Sequence, residues 1–478
     1  MPSLPRPRIA IVLAAAAVMS LVATAPAMAA SDPAAASAAP GAEQMAGQVV
    51  VRFRRGVSAS ERAAVQRAAG VGDPHAFAPQ TRVLTIQDGA SVAATVRELR
   101  RQPDVATAAP NKIARLTSVN PNDPGIAGTP GGWAQLQWNF LAGSGVNAPL
   151  AWQHLDDAGH PGGRGAIVAV VDTGVAYANR KRFRRSPDFG RRDFVRGYDF
   201  VDNDRFPNDE NGHGTHVAST IGERTGNGIG VTGLAYGARI MPIRVLDRYG
   251  AGDSVNITAG IRWAVKHGAD VINLSFEFDD GDRQYSAAEI PDVLAALRYA
   301  RRHDVVVVAA SGNRSLATVS YPARYDTVIG VGATTEHACH ADYSNSGKGL
   351  DIVAPGGGKD DPNDPSCPAG ARSGRGIFQM TFPWAAADSA PSTASKYRHF
   401  GLPRKFIGTS MAAPHVAATA ALVIASGILG KHPKASAVKA RLEATAVDGG
   451  APGFDPIYGA GRLDAAAATD PKQVTPGR

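Results

Sequence analysis

The chain has 478 residues, of which 44% are apolar and 19% are charged, so it suits two or three folded units and excludes wholesale disorder. Its formal net charge is +8, but the first 120 residues hold 13 Lys+Arg against 7 Asp+Glu, and the remaining 358 hold 37 against 35. Because the larger part is nearly neutral and has no basic stripe interleaved with aromatic residues, we expect no nucleic-acid partner.

The N-terminus has the pattern of a secretory signal peptide at residues 1–29. Two arginines precede the apolar run 9–22, and residues 27–29 form a small-x-small cleavage site. An uncleaved anchor is the alternative, but the run is short for a membrane span. No second run of spanning length follows, so we expect a secreted protein without a membrane partner. Residues 30–46 are Ala-rich and predict a flexible spacer.

Residues 47–113 predict a small α+β unit of the ferredoxin-like β-α-β-β-α-β type. Ser58, with Glu61 three residues later, has the spacing of a capping box at the start of the first helix. Such a unit is either a structural cap or a pro-segment that is later removed. Residues 114–136, rich in Asn, Pro and Gly, predict a linker that contains the processing site.

From residue 137 to 466, apolar strands alternate with helices, and a short polar tail follows at 467–478. The predicted strands are 166–171, 239–246, 271–275, 305–309 and 327–333, and the predicted helices are 254–267, 290–302, 410–426 and 435–444. Continuous apolar strands alternating with helices predict an α/β fold with a doubly wound, mostly parallel sheet. In such sheets, reactive groups collect at the carboxyl ends of the strands.

The chain has two cysteines, Cys339 and Cys367. In an exported protein, such a pair predicts one disulfide, and two free thiols are the alternative. A bridge over a loop of this length would stabilise the fold by roughly 3 kcal/mol in the chain-entropy model.

Three segments place a polar side chain at the end of an apolar strand or the start of a helix. Asp172 follows the strand 166–171, His213 begins a helix, and Ser410 begins the most apolar helix of the chain. A serine hydroxyl is a poor nucleophile that needs a base, and the base needs an orienting partner. Ser can act as the nucleophile, His as the base and Asp as the orienting partner. Along the chain they occur in the order Asp, His, Ser. His216 leaves a two-histidine zinc site as an alternative, although the Glu of zincin proteases is absent after the first His.

These segments resemble the signature motifs of the subtilisin-like serine proteases (subtilase family, peptidase S8), and the similarity covers residues 137–466. Residues 47–113 resemble the inhibitory propeptide of that family, of the inhibitor I9 type. The resemblance implies a sheet of subtilisin type behind a small α+β propeptide. It also implies a catalytic triad of Asp172, His213 and Ser410 that acts through an acyl-enzyme intermediate.

The resemblance implies further catalytic and substrate-binding residues. Asn313 is expected to stabilise the oxyanion together with the Ser410 backbone N–H. The alternative is that residues 311–313 form an ordinary turn after a strand. An extended substrate would pair with edge segments on both sides of a specificity pocket. The implied substrate-binding residues are Gly250, Gly252, Leu274, Ser275, Phe276, Ser311, Gly312 and Ser320.

Glu277 departs from the family pattern, which usually has Gly directly after the position of Phe276. Further acidic residues follow at Asp279, Asp280 and Asp282. A solvated loop is one interpretation of this stretch. The other is an acidic rim that attracts Lys or Arg in the substrate.

The resemblance also implies a structural calcium ion and no catalytic metal. Ca²⁺ takes six to eight oxygen ligands, and the family's calcium loop corresponds to residues 225–231. The implied ligands are Asp188, Thr225, Asn227, Ile229, Val231 and, more weakly, Gln137. A Gly-rich turn without metal is the alternative.

Residues 357–405 are longer than in the simplest family members and are expected to shape the rim of the cleft or a surface lobe. Altogether the resemblance predicts a secreted, monomeric serine endopeptidase, made as an autoprocessed zymogen that its own propeptide inhibits. Two other hypotheses are a non-catalytic binding protein on the same fold and a dedicated maturation protease. Loss of a triad residue would have favoured the non-catalytic binding protein. A membrane anchor or an extra domain would have favoured the maturation protease.

Overall fold

The computed structural model describes residues 44–112, 120–126, 128–279, 281, 283–367, 372–382 and 396–473. The predicted signal peptide and most of the predicted spacer lie outside the described residues. The chain divides into two compact units, residues 1–116 and residues 117–478.

The first unit is a four-stranded antiparallel sheet with two helices. Its elements are β1 (Gln44–Phe53), α1 (Ala59–Ala68), β2 (Val71–Ala78), β3 (Thr81–Ile86), α2 (Val92–Arg101) and β4 (Val105–Lys112). The strand order β2-β3-β1-β4 confirms the predicted α+β unit. The capping box is present, since the Glu61 N–H donates to Ser58 Oγ and the Ser58 N–H donates to the Glu61 carboxylate. Because β1 begins at Gln44, the last residues of the predicted spacer belong to the sheet.

The second unit has a seven-stranded, wholly parallel sheet between two layers of helices. Its strands are β5 (Ile167–Asp172), β6 (Tyr198–Asp199), β7 (Arg239–Arg244), β8 (Val271–Leu274), β9 (Val306–Ala310), β10 (Ile329–Thr334) and β11 (Ile352–Pro355). Its helices are α3 (Trp133–Leu136), α4 (Ala148–Asp157), α5 (His213–Gly222), α6 (Ser254–Lys266), α7 (Pro291–Arg302), α8 (Thr409–Ser426), α9 (Ala435–Ala444) and α10 (Ala465–Thr469). The predicted α/β fold class is confirmed.

The strand order β11-β10-β9-β8-β5-β7-β6 reverses direction at β5. The chain first adds β6 and β7 on one side of β5 and then returns to build β8 to β11 on the other. The carboxyl ends of the strands at such a switch point border a crevice in which ligands bind. The residues that follow β5 and β8 therefore occupy the place where a site is expected.

Helix α8 is long and apolar enough to span a membrane, and within the described ranges it is alone in this. However, 78% of it is buried within the fold. It packs against β8 to β11 on one side of the sheet and against α5. Its apolar composition is explained by its position as a core helix.

The predicted linker at 114–136 is wrong from residue 120 onward, because this stretch packs into the second unit. Only 2% of Trp133 is exposed, and its ring centroid lies 5.7 Å from that of Trp152. Its Nε1–H donates to the Pro121 carbonyl oxygen at 3.0 Å. Asp123 is fully buried. The composition of this stretch is typical of loops and gave no sign that Trp133 and Asp123 are buried.

The predicted tail at 467–478 also begins inside the folded unit. Helix α10 continues to Thr469, and Ala468 is fully buried. The Arg441 guanidinium donates to the carbonyl oxygens of Ala468 and Asp470 at 3.0 and 2.7 Å. These hydrogen bonds fix the backbone after the helix.

A disulfide joins Cys339 and Cys367, whose Cα atoms lie 5.8 Å apart. The described part of the chain has no free cysteine. The predicted pairing therefore agrees with the structure, and the alternative of two free thiols does not.

Replacing Trp133 by Ala tests whether the misassigned segment is part of the fold. We expect Trp133→Ala to lower the free energy of unfolding by about 3–5 kcal/mol, because it empties a buried site. Urea unfolding followed by circular dichroism measures this change. Ile126→Ala is the control: 54% of Ile126 is exposed, so its change should stay within about 0.5 kcal/mol. Equal effects of the two substitutions would contradict the assignment.

Candidate active site

Asp172 and His213 form a hydrogen-bonded pair at the carboxyl edge of the sheet. The Asp172 side chain is fully buried, whereas 22% of the His213 side chain is exposed. His213 Nδ1 lies 2.8 Å from Asp172 Oδ1 and 3.0 Å from Oδ2. Burial alone would lower the pKa of His213, but the charge of Asp172 and this hydrogen bond raise the pKa above its ordinary value of 6.5. The pair therefore favours an imidazolium beside a buried carboxylate.

Asp209 fixes the backbone turn that presents His213. Its carboxylate accepts hydrogen bonds from the backbone N–H groups of Asn211, Gly212 and Thr215 at 2.8 to 2.9 Å. These contacts satisfy donors at the start of α5 that have no acceptor within the helix. Asp209 also adds to the negative charge that raises the pKa of His213. This role was not predicted from the sequence, although an acidic residue just before a helix start is a recognisable signal.

Gly214 allows α5 to approach the end of β5. A Cβ atom at this position would overlap the Gly174 carbonyl oxygen and would lie 3.0 Å from Asp172 Oδ1. The close approach of helix and strand brings the His213 ring to the Asp172 carboxylate. A glycine beside the histidine is therefore a steric requirement of this pair.

Ser410 lies in the first turn of α8 and exchanges hydrogen bonds with Ser275, which follows β8. Ser410 Oγ donates to the Ser275 carbonyl oxygen at 3.0 Å, and Ser275 Oγ donates to the Ser410 carbonyl oxygen at 2.9 Å. The Ser410 carbonyl is available because Pro414, four residues later, has no N–H to donate to it. The Ser410 hydroxyl proton is thus directed to the Ser275 carbonyl oxygen.

Asn313 is oriented by Thr409, the residue before Ser410. Its Oδ1 accepts from the Thr409 N–H at 2.8 Å and from the Thr409 hydroxyl at 3.0 Å. Because these donors fix the oxygen, the amide NH₂ group is the end that can donate to a bound molecule. The Ser410 backbone N–H is in the first helical turn, where N–H groups have no acceptor within the helix. The site thus combines two donors close to the Ser410 hydroxyl.

His213, Ser410 and Asn313 line one cleft of about 380 Å³. Four of the predicted substrate-binding residues line it with them: Gly250, Ser275, Phe276 and Gly312. The other four, Gly252, Leu274, Ser311 and Ser320, are not part of its lining. Leu274, Ser311 and Ser320 are fully buried, so their side chains support the wall rather than form its surface.

The cleft has further lining residues that the sequence analysis did not assign to it. They come from the ends of strands, from the residues just before α5 and α8, from α8 itself and from the end of the 357–405 segment, and are Thr173, Asn211, Leu246, Tyr249, Ala310, Lys405, Phe406, Ile407, Thr409 and Met411. The 357–405 segment thus contributes to the rim, as expected. It also supports α5, since Thr381 Oγ1 donates to the Gly212 carbonyl oxygen at 2.8 Å.

Glu277 belongs to the cleft rather than to a solvated loop, so that interpretation is wrong for this residue. Its Oε2 accepts a hydrogen bond from the Ser320 hydroxyl at 2.6 Å, and its Oε1 accepts from the Asn313 backbone N–H at 3.2 Å. Asp279 lies outside the cleft lining, with its carboxylate 3.6 Å from Arg314. Asp280 and Asp282 lie outside the described residues.

His216 is fully buried and does not line the cleft. Its Nε2 lies 3.0 Å from the Ile377 carbonyl oxygen, and its ring stacks on Phe406 with centroids 4.1 Å apart. Burial lowers the pKa of His216 to about 3. These contacts give it a structural role in packing α5 against Ile377 and Phe406.

The residues around the predicted calcium loop form a buried acidic cluster of Asp123, Asp188 and Glu223. Asp188 Oδ1 accepts from the Asn227 amide at 2.7 Å. In the described part of the chain, Asp188 Oδ2 and Glu223 Oε1 are buried without a hydrogen-bond donor. Burial, together with the neighbouring carboxylates, raises the pKa of Asp188 to about 7 and also raises that of Glu223.

Gln137 does not join this cluster, contrary to its prediction as a ligand. Its Nε2 donates to the Thr232 carbonyl oxygen at 2.7 Å, and its Oε1 accepts from the Thr232 N–H at 2.9 Å. Asp123 lies at the loop instead and accepts from the N–H groups of Gly226 and Asn227 at 2.8 and 3.0 Å. Asp123 and Glu223 were missed because neither is next in sequence to the glycines that mark the loop.

Comparison with known proteins identifies the second unit. Residues 163–461 match the family model Peptidase_S8, the subtilase family. The chain belongs to the subtilase family. Subtilases are serine endopeptidases, and this chain is therefore a serine endopeptidase. Residues 30–111 match the fervidolysin N-terminal prodomain, so this subtilase carries a prodomain whose matched region includes the predicted spacer.

Individual relatives support the same assignment. The subtilase is 32% identical over 389 residues to the thermophilic serine proteinase of Bacillus sp. (strain AK1), covering 80% of this chain and 78% of that protein. It is 37% identical over 309 residues to subtilisin Savinase of Lederbergia lenta, covering 64% and 91%. The solved structure described as "Proteases from Pseudoalteromonas arctica PAMC 21717" is 28% identical with a TM-score of 0.55, covering 73% of this chain and 98% of that chain.

Proposed function

We propose that this subtilase is a secreted endopeptidase whose catalytic triad is Asp172, His213 and Ser410. The observation that carries the proposal is the pairing of a buried Asp172 with His213 in the cleft that Ser410 and Asn313 also line. Nucleophile, base, orienting carboxylate and oxyanion donor are the parts that acyl transfer needs. Secretion is supported by the signal-peptide pattern at residues 1–29.

The proposed reaction begins with attack of Ser410 Oγ on the scissile carbonyl carbon. His213 accepts the hydroxyl proton and then delivers it to the leaving amine. Asp172 holds Nδ1–H and stabilises the imidazolium while the proton resides there. Water, deprotonated by His213 in the same way, then hydrolyses the acyl-enzyme and frees Ser410.

Asn313 and the Ser410 backbone N–H are proposed to stabilise the oxyanion of both tetrahedral intermediates. Their value lies in being oriented before the reaction, because no reorganisation is then required when charge develops. Thr409 supplies this orientation through its two hydrogen bonds to Asn313 Oδ1. Removal of one such donor typically lowers kcat by about 10²–10³.

The prodomain is proposed to make the protein a zymogen that processes itself. The match of residues 30–111 to a protease prodomain supports this assignment. Cleavage would fall in residues 113–119, between β4 and the part of residues 120–136 that packs into the second unit. The basic N-terminal quarter of the chain would then be removed with the prodomain.

The acidic cluster is proposed to hold a structural Ca²⁺. Three buried carboxylates repel one another, and two of their oxygens have no hydrogen-bond donor in the described residues. A hard divalent cation with oxygen ligands would offset this repulsion. The proposed ligand-bearing residues are Asp123, Asp188, Glu223 and Asn227, with backbone carbonyls of Thr225, Ile229 and Val231. The ion would stabilise the loop and would not take part in peptide hydrolysis.

Intact mass with and without a serine-directed fluorophosphonate tests the catalytic proposal. Expressed in an exporting host, the wild-type protein should lose its prodomain and gain one adduct, whereas Ser410→Ala should keep the prodomain and stay unlabelled. This result would link the nucleophile to self-processing. If both proteins keep the prodomain and neither is labelled, the triad is not assembled and the non-catalytic hypothesis replaces this one.

Calcium removal tests the metal proposal independently. EDTA should lower the Tm of the mature enzyme by roughly 5–10 °C, because an ion bound only to the folded state stabilises it by mass action. Asp188→Ala should remove most of the dependence of Tm on calcium. Asp157→Asn, at an exposed carboxylate on α4, is the control and should keep that dependence. A Tm that neither EDTA nor added calcium changes would contradict the site.

A further inference from the structure

The Glu277 carboxylate lies across the specificity pocket, between the two strand ends that border it. Glu277 comes from the segment after β8, and its two oxygens reach Ser320 and the Asn313 backbone N–H on the other side, at 2.6 and 3.2 Å. A Cβ atom added to Gly312, which has φ of 108°, would overlap Glu277 Oε2. The pocket therefore accommodates the carboxylate because residue 312 has no side chain.

Neutral donors hold this carboxylate in place. Ser320 Oγ accepts hydrogen bonds from the Gln284 amide at 2.7 Å and from the Asn345 amide at 3.2 Å. With its oxygen occupied by these two donors, the Ser320 hydroxyl directs its own proton to Glu277 Oε2. The network orients the carboxylate without neutralising its charge.

Glu277 forms no ion pair within the described residues, although Lys405 lines the same cleft. The ion pairs there do not include Glu277, and the nearby Arg314 guanidinium lies 3.6 Å from Asp279. Around the carboxylate the cleft also has apolar walls, including Phe276 and Ala310. An anion that is partly removed from water and lacks a counter-charge attracts a cation more strongly than it would in bulk solvent.

We propose that this pocket binds the Lys or Arg side chain of the residue immediately before the scissile bond. The inference rests on the proposed function, because Asn313 and Ser410 then fix the position of the attacked carbonyl. The side chain of the residue that bears this carbonyl enters the gap between the segments 275–277 and 310–312, where Glu277 lies. Its ammonium or guanidinium group forms an ion pair with the carboxylate.

Large apolar side chains are disfavoured by the same geometry. A Leu or Phe side chain would have to displace Glu277 from Ser320 or would desolvate the carboxylate without pairing it. A buried charge without a partner costs more free energy than the apolar contact returns. We therefore expect Arg and Lys to be cleaved faster than Leu, Phe or Met at this position.

Peptides that differ only in the residue before the scissile bond test this inference. Citrulline is the matched substrate, since it has the shape of arginine without its charge. With the mature enzyme, kcat/KM for Arg should exceed that for citrulline by at least about tenfold. Glu277→Gln should reduce this ratio to near one. Asp279→Asn is the matched control, because it removes a neighbouring acidic charge outside the cleft lining and should keep the ratio.

Glu277→Gly provides a second variant that restores the residue usual in the family and should also remove the preference for Arg. An Arg to citrulline ratio near one in the wild type, or a ratio unchanged by both substitutions, would overturn the inference. Cleavage of Leu and Phe peptides in that case would leave the proposed function intact. Cleavage of no peptide at all, without fluorophosphonate labelling, would remove the proposed function and this inference with it.

Discussion

The carboxylate of Asp172 is fully buried at the end of β5, and most features of the site follow from the need to stabilise its charge. Desolvation disfavours an isolated anion, so it must accept hydrogen bonds or pair with a cation. The Thr173 N–H at 2.7 Å and His213 Nδ1 meet this need. The Asp172 carboxylate also raises the pKa of the His213 imidazole. In the proposed mechanism, this buried charge makes His213 an effective proton acceptor.

The parallel sheet determines where these groups meet. The strand order reverses at β5, so the segments after β5 and β8 face the start of α5 and of α8 across one crevice. Two residues then shape the local contacts. Gly214 lets α5 approach β5 closely, and Pro414 leaves the Ser410 carbonyl free to accept a hydrogen bond from Ser275. Each of these local features would be a defect in an isolated helix or strand. Together they place the proposed nucleophile, the proposed base and the two proposed oxyanion donors around one cleft.

The sequence predicted the long elements closely because their apolar periodicity is a local signal. The helix predicted at 435–444 has these bounds in the structure, and the strand predicted at 166–171 is shifted by one residue. The two-residue strand β6 is too short to produce a pattern. The role of Asp123 depends on a partner far along the chain, at Gly226, so no local pattern could reveal it. Glu277 stood out as a departure from the family pattern, but its hydrogen bond to Ser320 could not be predicted. Residues 120–136 were misassigned because Asn, Pro and Gly are typical of loops, whereas buried Trp133 is recognisable only from its neighbours.

The most direct test of the account is the pKa of His213, measured by NMR of the imidazole nitrogens in the Ser410→Ala protein. Loss of one signal in a His213→Gln variant assigns the resonance among the 12 histidines. We predict a His213 pKa above 6.5 and expect Asp172→Asn to lower it. Because only the neutral imidazole accepts a proton, kcat/KM should fall as the pH decreases through this pKa. A His213 pKa below 6.5, or one that Asp172→Asn leaves unchanged, would contradict the claim that this buried pair organises the site.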